Sequence, residues 1–217
     1  MAALRPPAYV APPVPTTSAT APRVSPLLPL ALLEAVRELD AHVPDELDEV
    51  HEELAVKRLG QSPTVAAQIA RWSRLARKGE DVDAADCEGL LRLVARRADA
   101  GLVFTDAGRR LGRHIVSGSV VPRALVRLMG WRVARRRIAM HLRVVMAGTA
   151  RQPEASGRDT IAIRATPDGA ACAFLGAAVA EVLRRLTAFD GAMMHVSCLG
   201  RGGDVCRWRA ALPPEES

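Results

Sequence analysis

Residues 192–211 read AMMHVSCLGRGGDVCRWRAA. Two short segments, 192–199 and 204–211, flank Arg201-Gly202-Gly203, the turn chemistry of a β-hairpin, because glycine enters the positive-φ region that tight turns need. A hairpin centred on Gly202 sets Cys198 opposite Cys206. Opposed side chains of an antiparallel pair stand about 4.5–5.5 Å apart at Cβ, close enough to share a metal ion or, with adjustment, a disulfide. His195 lies three residues before Cys198. In an ideal strand that odd offset turns it to the opposite face, so it joins the cysteines only through a bulge or an irregular strand end.

Upstream, Cys172, Leu175, Val179, Val182 and Leu186 fall at steps of three and four, the pattern of a helix with one apolar face, and Arg184 and Arg185 lie outside it. Cys172 opens this helix and approaches the sheet if the helix packs on it. Thr160-Ile161-Ala162-Ile163-Arg164-Ala165 reads as a short strand, closed by Pro167, Asp168 and Gly169. The carboxy-terminal order is therefore strand, helix, hairpin. The preceding part reads as helices. Leu32, Val36 and Leu39 mark one, and Leu47, Val50 and Leu54 a second ending at Gly60. Ser62-Pro63 caps a third, with Val65, Ile69, Trp72 and Ala76 as its buried stripe and Gly79 as its stop. Cys87, Leu90, Leu91 and Val94 mark a fourth within 83–99. Thr105 caps a short one carrying Leu111 and Ile115, Pro122 starts another through Leu125, Leu128 and Met129, and residues 131–145 could form a last one before Gly148 breaks into extended chain. The fold class is α+β: a helical amino-terminal part, then a mixed helix and antiparallel-sheet domain ending in a hairpin. Residues 1–26 read as a disordered Pro-rich arm, 27–212 as one domain and 213–217 as a tail; no internal repeat is present.

With 217 residues and 49% apolar content the chain can bury one sizeable core. Every long Leu/Val/Ala run is interrupted by a charge, so no membrane span is expected. The Pro-rich start lacks the apolar core of a secretion signal, which places the expected location in the cytoplasm, where thiols stay reduced. The four cysteines then read as metal ligands or as core packing. The net charge of +6 is carried almost wholly by arginine, with Lys57 and Lys78 the only lysines. Residues 107–153 hold no Asp or Glu but eleven arginines, while 45–53 hold Asp45, Glu46, Asp48, Glu49, Glu52 and Glu53. These opposed segments could pair within or between chains, as in a homo-oligomer or a larger complex, or simply be solvated. No helix-turn-helix or aromatic RNA-binding signature accompanies the arginines, so nucleic acid is not the expected partner.

Cys172, His195, Cys198 and Cys206 together make a Cys3His set, the composition of a closed structural zinc site. No CxxC pair occurs in the chain, and buried core cysteines on a helix and a hairpin stand as the other reading.

The run from Cys198 through Gly200, Gly202 and Gly203 to Cys206-Arg207-Trp208 resembles the closing signature of vinyl-reductase-type domains. Cys172 before an apolar helix extends the likeness, as does Arg137-Ile138-Ala139-Met140-His141 leading to Ala147-Gly148-Thr149, which is similar to a segment of bacteriochlorophyll-branch members. The likeness covers about residues 100–210. It implies a mixed α/β domain enclosing a cleft for a hydrophobic ligand. It also implies zinc held by two hairpin cysteines, an upstream cysteine and a residue three before the first hairpin cysteine, here Cys198, Cys206, Cys172 and His195. Relatives carry glutamate at the last of these positions.

The family name promises reduction of a vinyl group, yet no GxGxxG follows a strand, and Gly200, Gly202 and Gly203 lie between strands rather than opening a helix. No nucleotide cofactor is expected, and binding is expected over catalysis. A tetrapyrrole intermediate is flat and apolar with carboxylate edges, which arginines can hold. His141 is the candidate axial or polar contact to such a ligand, and Arg132 and Arg136, on one side of a helix, are the candidate carboxylate contacts. A pigment-intermediate carrier or assembly factor is the leading reading; a small-molecule-sensing regulatory domain and a structural subunit are the others.

Overall fold

The computed structural model describes residues 22–41, 59–117 and 123–211. The acidic segment, the helix expected around Leu47–Leu54, Pro122, residues 1–21 and the carboxy-terminal tail lie outside the described residues. In chain order the elements are β1 (Arg23–Val24), α1 (Leu27–Ala41), a 3-10 turn (Leu59–Gln61), α2 (Pro63–Lys78), β2 (Val82–Asp83), α3 (Ala84–Ala95), α4 (Ala100–Ser117), α5 (Arg123–Leu142), β3 (Val145–Gly148), β4 (Pro153–Gly157), α6 (Ile161–Ala165), α7 (Cys172–Leu186), β5 (Ala192–Ser197), a second 3-10 turn (Leu199–Arg201) and β6 (Cys206–Ala211). The fold is α+β and closes on the β5–β6 hairpin.

Helix α7 lies at the centre. It is buried on nearly every side, from Cys172 and Phe174 to Leu183 and Leu186. Full burial of side chains such as Leu175 or Leu183 stabilises by about 1.5–3 kcal/mol each relative to exposure. Helix α4 runs beside it in the same direction, Gly108 over Phe174 and Ala177, Gly112 over Ala178 and Glu181, with the small residues setting the close approach. The four-stranded antiparallel sheet, ordered β3-β4-β6-β5, covers another side through Trp208, whose indole sits against Gly176. The opposite sheet face carries Glu154 between Arg207 (3.1 Å) and Arg209 (3.4 Å). Helix α2 packs on the back of α1 through Val65, Ile69 and Trp72, forming a smaller core with Leu30, Leu33 and Val82. A buried ion pair, Arg97 to Asp40 at 2.7 Å, ties the end of α1 to the α3–α4 connection, and the same carboxylate accepts the Gly60 N–H.

Several expectations hold. Ser62 caps α2 by accepting the Val65 N–H, Pro63 is its first residue, and Gly79 ends it in the left-handed region. Others are corrected. Thr160–Ala165 is not a strand: the Thr160 hydroxyl accepts the Ile163 N–H and starts α6, burying Ile161, Ala162 and Ala165. Cap chemistry and one-sided burial outweigh the strand preference of the isoleucines. Thr105 does not cap a helix but sits inside α4, where its hydroxyl donates to the Gly101 carbonyl. The two helices expected across 122–145 are one, α5. It runs through Gly130, where a Cβ would strike the Leu186 carbonyl. Gly148 ends a strand instead of starting extended chain, and β4 follows it unforeseen. Arg23 and Val24, read as part of the arm, pair with Asp83 and Val82.

Candidate metal centre

The hairpin has the irregularity that the sequence demanded. Pairing runs Ala192↔Ala211 to His195↔Trp208, then resumes at Ser197↔Arg207, leaving Val196 as an extra residue. The residue pairs before the bulge are thus one step out of the register centred on Gly202. That single extra residue reverses the facing of everything after it. His195, opposite the inward Trp208, and Cys198 consequently turn to the same side. Cys198 anchors the turn as well, its carbonyl accepting the N–H groups of Arg201 (3.0 Å) and Gly203 (2.9 Å).

Cys172 comes to this point as the first residue of α7, its N–H bonded to the Gly169 carbonyl at 3.0 Å. The loop before it is held by buried Thr166, whose hydroxyl donates to the Ala162 carbonyl (2.8 Å) and accepts the Ala171 N–H (3.0 Å). Gly169 has φ 80, and a Cβ there would lie 2.5 Å from the Cys198 sulfur and 3.7 Å from that of Cys172. Trp208 completes the link, stacking on His195 with ring centroids 5.1 Å apart and donating its indole N–H to the Cys172 carbonyl at 3.2 Å.

One ligand atom from each of Cys172, His195, Cys198 and Cys206 lies within 4.8 Å of all the others. The sulfurs of Cys172 and Cys206 are 3.8 Å apart. With zinc–sulfur bonds of about 2.3 Å, two corners of a tetrahedron lie about 3.8 Å apart, whereas a disulfide requires about 2.05 Å. All four cysteines are free thiols. The donor set fits a closed tetrahedral ion such as zinc. Burial, with the neighbouring Cys206 and Cys198 adding, pushes the Cys172 thiol well up, and burial also raises Cys206. Burial and Arg201 lower His195, against a hydrogen bond with the Ser197 backbone that raises it. Without a cation these donors favour their neutral forms, and a divalent ion reverses the preference by binding thiolate. The His195 Nε2 is buried without a hydrogen-bond partner, a polar atom that a metal ion would satisfy.

The three residues expected at a ligand site are not gathered together. His141, in the last turn of α5, lines a cleft of about 360 Å³ between the β1–α1 entry, the end of α2, the end of α5 and α6. Arg132 and Arg136 are exposed on α5, and neither lines that cleft. The cleft's cations are instead Arg23, Arg143 and Arg164, which the sequence reading did not single out. Trp72 is a core residue, as expected, and so is Trp208; Trp131 is partly buried, with the Arg135 guanidinium 6.0 Å from its ring centre. Gly169 was legible only as a turn residue, since its contact with two sulfurs depends on the folded loop. Among the described residues no helix is long and apolar enough to cross a membrane.

Fold and site together define an α+β domain whose central helix and terminal hairpin meet at a Cys3His donor set. In comparisons with known proteins, no family model, curated protein or solved structure matches this chain.

Proposed function

We propose that the chain is a ligand-binding domain of the vinyl-reductase type, folded around a structural zinc held by Cys172, His195, Cys198 and Cys206. In this reading it serves bacteriochlorophyll biosynthesis as a carrier or assembly factor for a tetrapyrrole intermediate. The observation that carries it is the convergence of the four donors within 4.8 Å, achieved through the bulge at Val196. When bound, zinc in a Cys3His set supplies positive charge to thiolates and has no open position for a substrate. That favours binding over catalysis. Gly169 leaves room for the sulfurs, and Trp208 holds the imidazole plane and the first turn of α7 in one unit.

The ligand half of the reading is supported by the cleft beside His141. Its walls include Leu27, Leu28, Leu142 and Ile161, and its rim is cationic. Burial, with Arg137 adding, pushes the His141 ionisation down, leaving a neutral imidazole to contact a pigment. A volume of about 360 Å³ is at the low end for ligand pockets. The cleft therefore suits one carboxylate-bearing edge of a tetrapyrrole better than the whole macrocycle.

The test is a titration of zinc-replete protein with protoporphyrin IX, following the pigment's Soret band and tryptophan fluorescence. Saturable changes at one pigment per chain are expected. No change in either signal at micromolar pigment would overturn the carrier reading.

A further inference from the structure

We infer that Arg143 is the anion anchor of the cleft beside His141, and that the cleft takes a single carboxylate of its ligand together with the apolar body next to it. This rests on the ligand-binding reading above and names the chemistry of the site.

Arg143 follows the last residue of α5 with φ 54, and among the described residues it is the one non-glycine in that region. Position C′ of a helix commonly adopts this conformation, but glycine or asparagine takes it without the crowding that a larger side chain brings. The fold gains little from arginine here. The side chain is exposed, and its hydrogen bond among the described residues is a long one, from Nη2 to the Arg23 carbonyl at 3.4 Å. What the left-handed turn does achieve is placement of a guanidinium on the cleft wall. Strained positions of this kind are a recurrent mark of functional sites.

The charges around the cleft set the ligand's charge. Arg164 is already matched, its guanidinium bonded to Glu88 (2.8 Å) and Asp159 (2.9 Å). Arg23 and Arg143 make no ion pair with a described residue, and among the described residues Asp81 is the one acid on the lining. Arg23 donates to the Asp81 backbone carbonyl, which leaves the Asp81 carboxylate to offset one of the two cations. Among the described residues, one positive charge is left for a ligand anion. The apolar body would lie on Leu27, Leu28 and Ile161.

The experiment compares 8-anilinonaphthalene-1-sulfonate, an amphipathic anion, with N-phenyl-1-naphthylamine, the same rings without the charge. Both are titrated by fluorescence into the full chain and into Arg143→Gly and Arg143→Lys. Glycine suits the left-handed backbone, so the first variant is expected to fold, which its thermal melt checks. The anionic probe should saturate at one per chain, weaken about tenfold in Arg143→Gly and weaken much less in Arg143→Lys, as expected for loss of a charge-assisted contact. The neutral probe should bind all three chains alike. Equal binding of the anionic probe to wild type and Arg143→Gly, or absence of saturation at one per chain, would overturn the inference. Protoporphyrin IX separates the two readings. If it fails to bind while the anionic probe depends on Arg143, the cleft stands and the tetrapyrrole assignment falls. If it binds wild type and Arg143→Gly equally, the carrier reading stands and the anchor falls.

Discussion

The Cys3His clasp and the His141 cleft border the same hydrophobic core but are built on opposite principles. At the clasp, donors from a helix start and a hairpin are packed against each other, mostly buried, with every neighbour fixed: Trp208 on His195, Gly169 against two sulfurs. At the cleft, two exposed arginines and the half-buried Arg164 surround a cavity, and one of the exposed pair, Arg143, holds an unfavourable backbone angle. The first arrangement gives up space to gain rigidity, and the second keeps space open. Stability should accordingly depend on the clasp, and ligand affinity on the cleft.

The strongest way to break that contrast is to open the clasp. Cys206→Ala, or removal of metal by a chelator, should cost more than about 4 kcal/mol in urea unfolding, because binding energy at a structural zinc is folding energy. An unchanged midpoint after chelation would place the stability elsewhere. A finer probe is Gly169→Ala set beside Gly202→Ala. Both positions have positive φ, 80 and 83, but only the first meets a sulfur at 2.5 Å, while the second has nothing within 4 Å. The left-handed cost of about 1–2 kcal/mol should be common to both. Only Gly169→Ala should also weaken zinc binding, as read by competition with a chromogenic chelator.

These two glycines also mark how far the sequence could be read. The hairpin, the nearness of Cys198 to Cys206 and the need for an irregularity at His195 were legible, because strand period and turn chemistry are local properties; the turn itself is longer than expected, with the strands ending at Ser197 and restarting at Cys206 around a 3-10 turn at Leu199–Arg201. So was the capped helix α2. Thr160 was legible as a β-branched residue but not as a cap, since its role depends on burying Ile161 and Ala165 against the core. Gly130 could not be told from a helix break until the Leu186 carbonyl was known to lie against it. The cleft was the least legible part. Arg132 and Arg136 stood out by spacing, whereas Arg23, Arg143 and Arg164 come from three separate stretches of chain that only the tertiary fold assembles.

At the cleft, stability effects should be small. Arg143→Gly should raise the unfolding free energy by about 0–1 kcal/mol, since glycine relieves the left-handed backbone while adding entropy to the unfolded chain. A loss of several kcal/mol would mean that Arg143 serves the fold. The smallest effect concerns pH. The His141 ionisation is lowered in the folded chain by burial, with Arg137 adding and Asp81 opposing. The unfolded chain therefore binds this proton more readily. The group's contribution is complete above the unfolded value of about 6.5 and is lost as pH falls toward the lowered folded value. His141→Gln should flatten the slope of urea midpoint against pH below 6.5. A slope identical to wild type would show that other groups set it.

The central claim is that a metal ion closes the joint between α7 and the terminal hairpin. Its most direct test is the zinc content of the chain purified from zinc-containing medium without chelator, measured beside Cys198→Ser and Cys87→Ala, the last a buried cysteine outside the donor set. About one zinc per chain is expected in wild type and Cys87→Ala, with most of it lost in Cys198→Ser. Less than half an equivalent in wild type, or equal zinc in Cys198→Ser, would contradict the account.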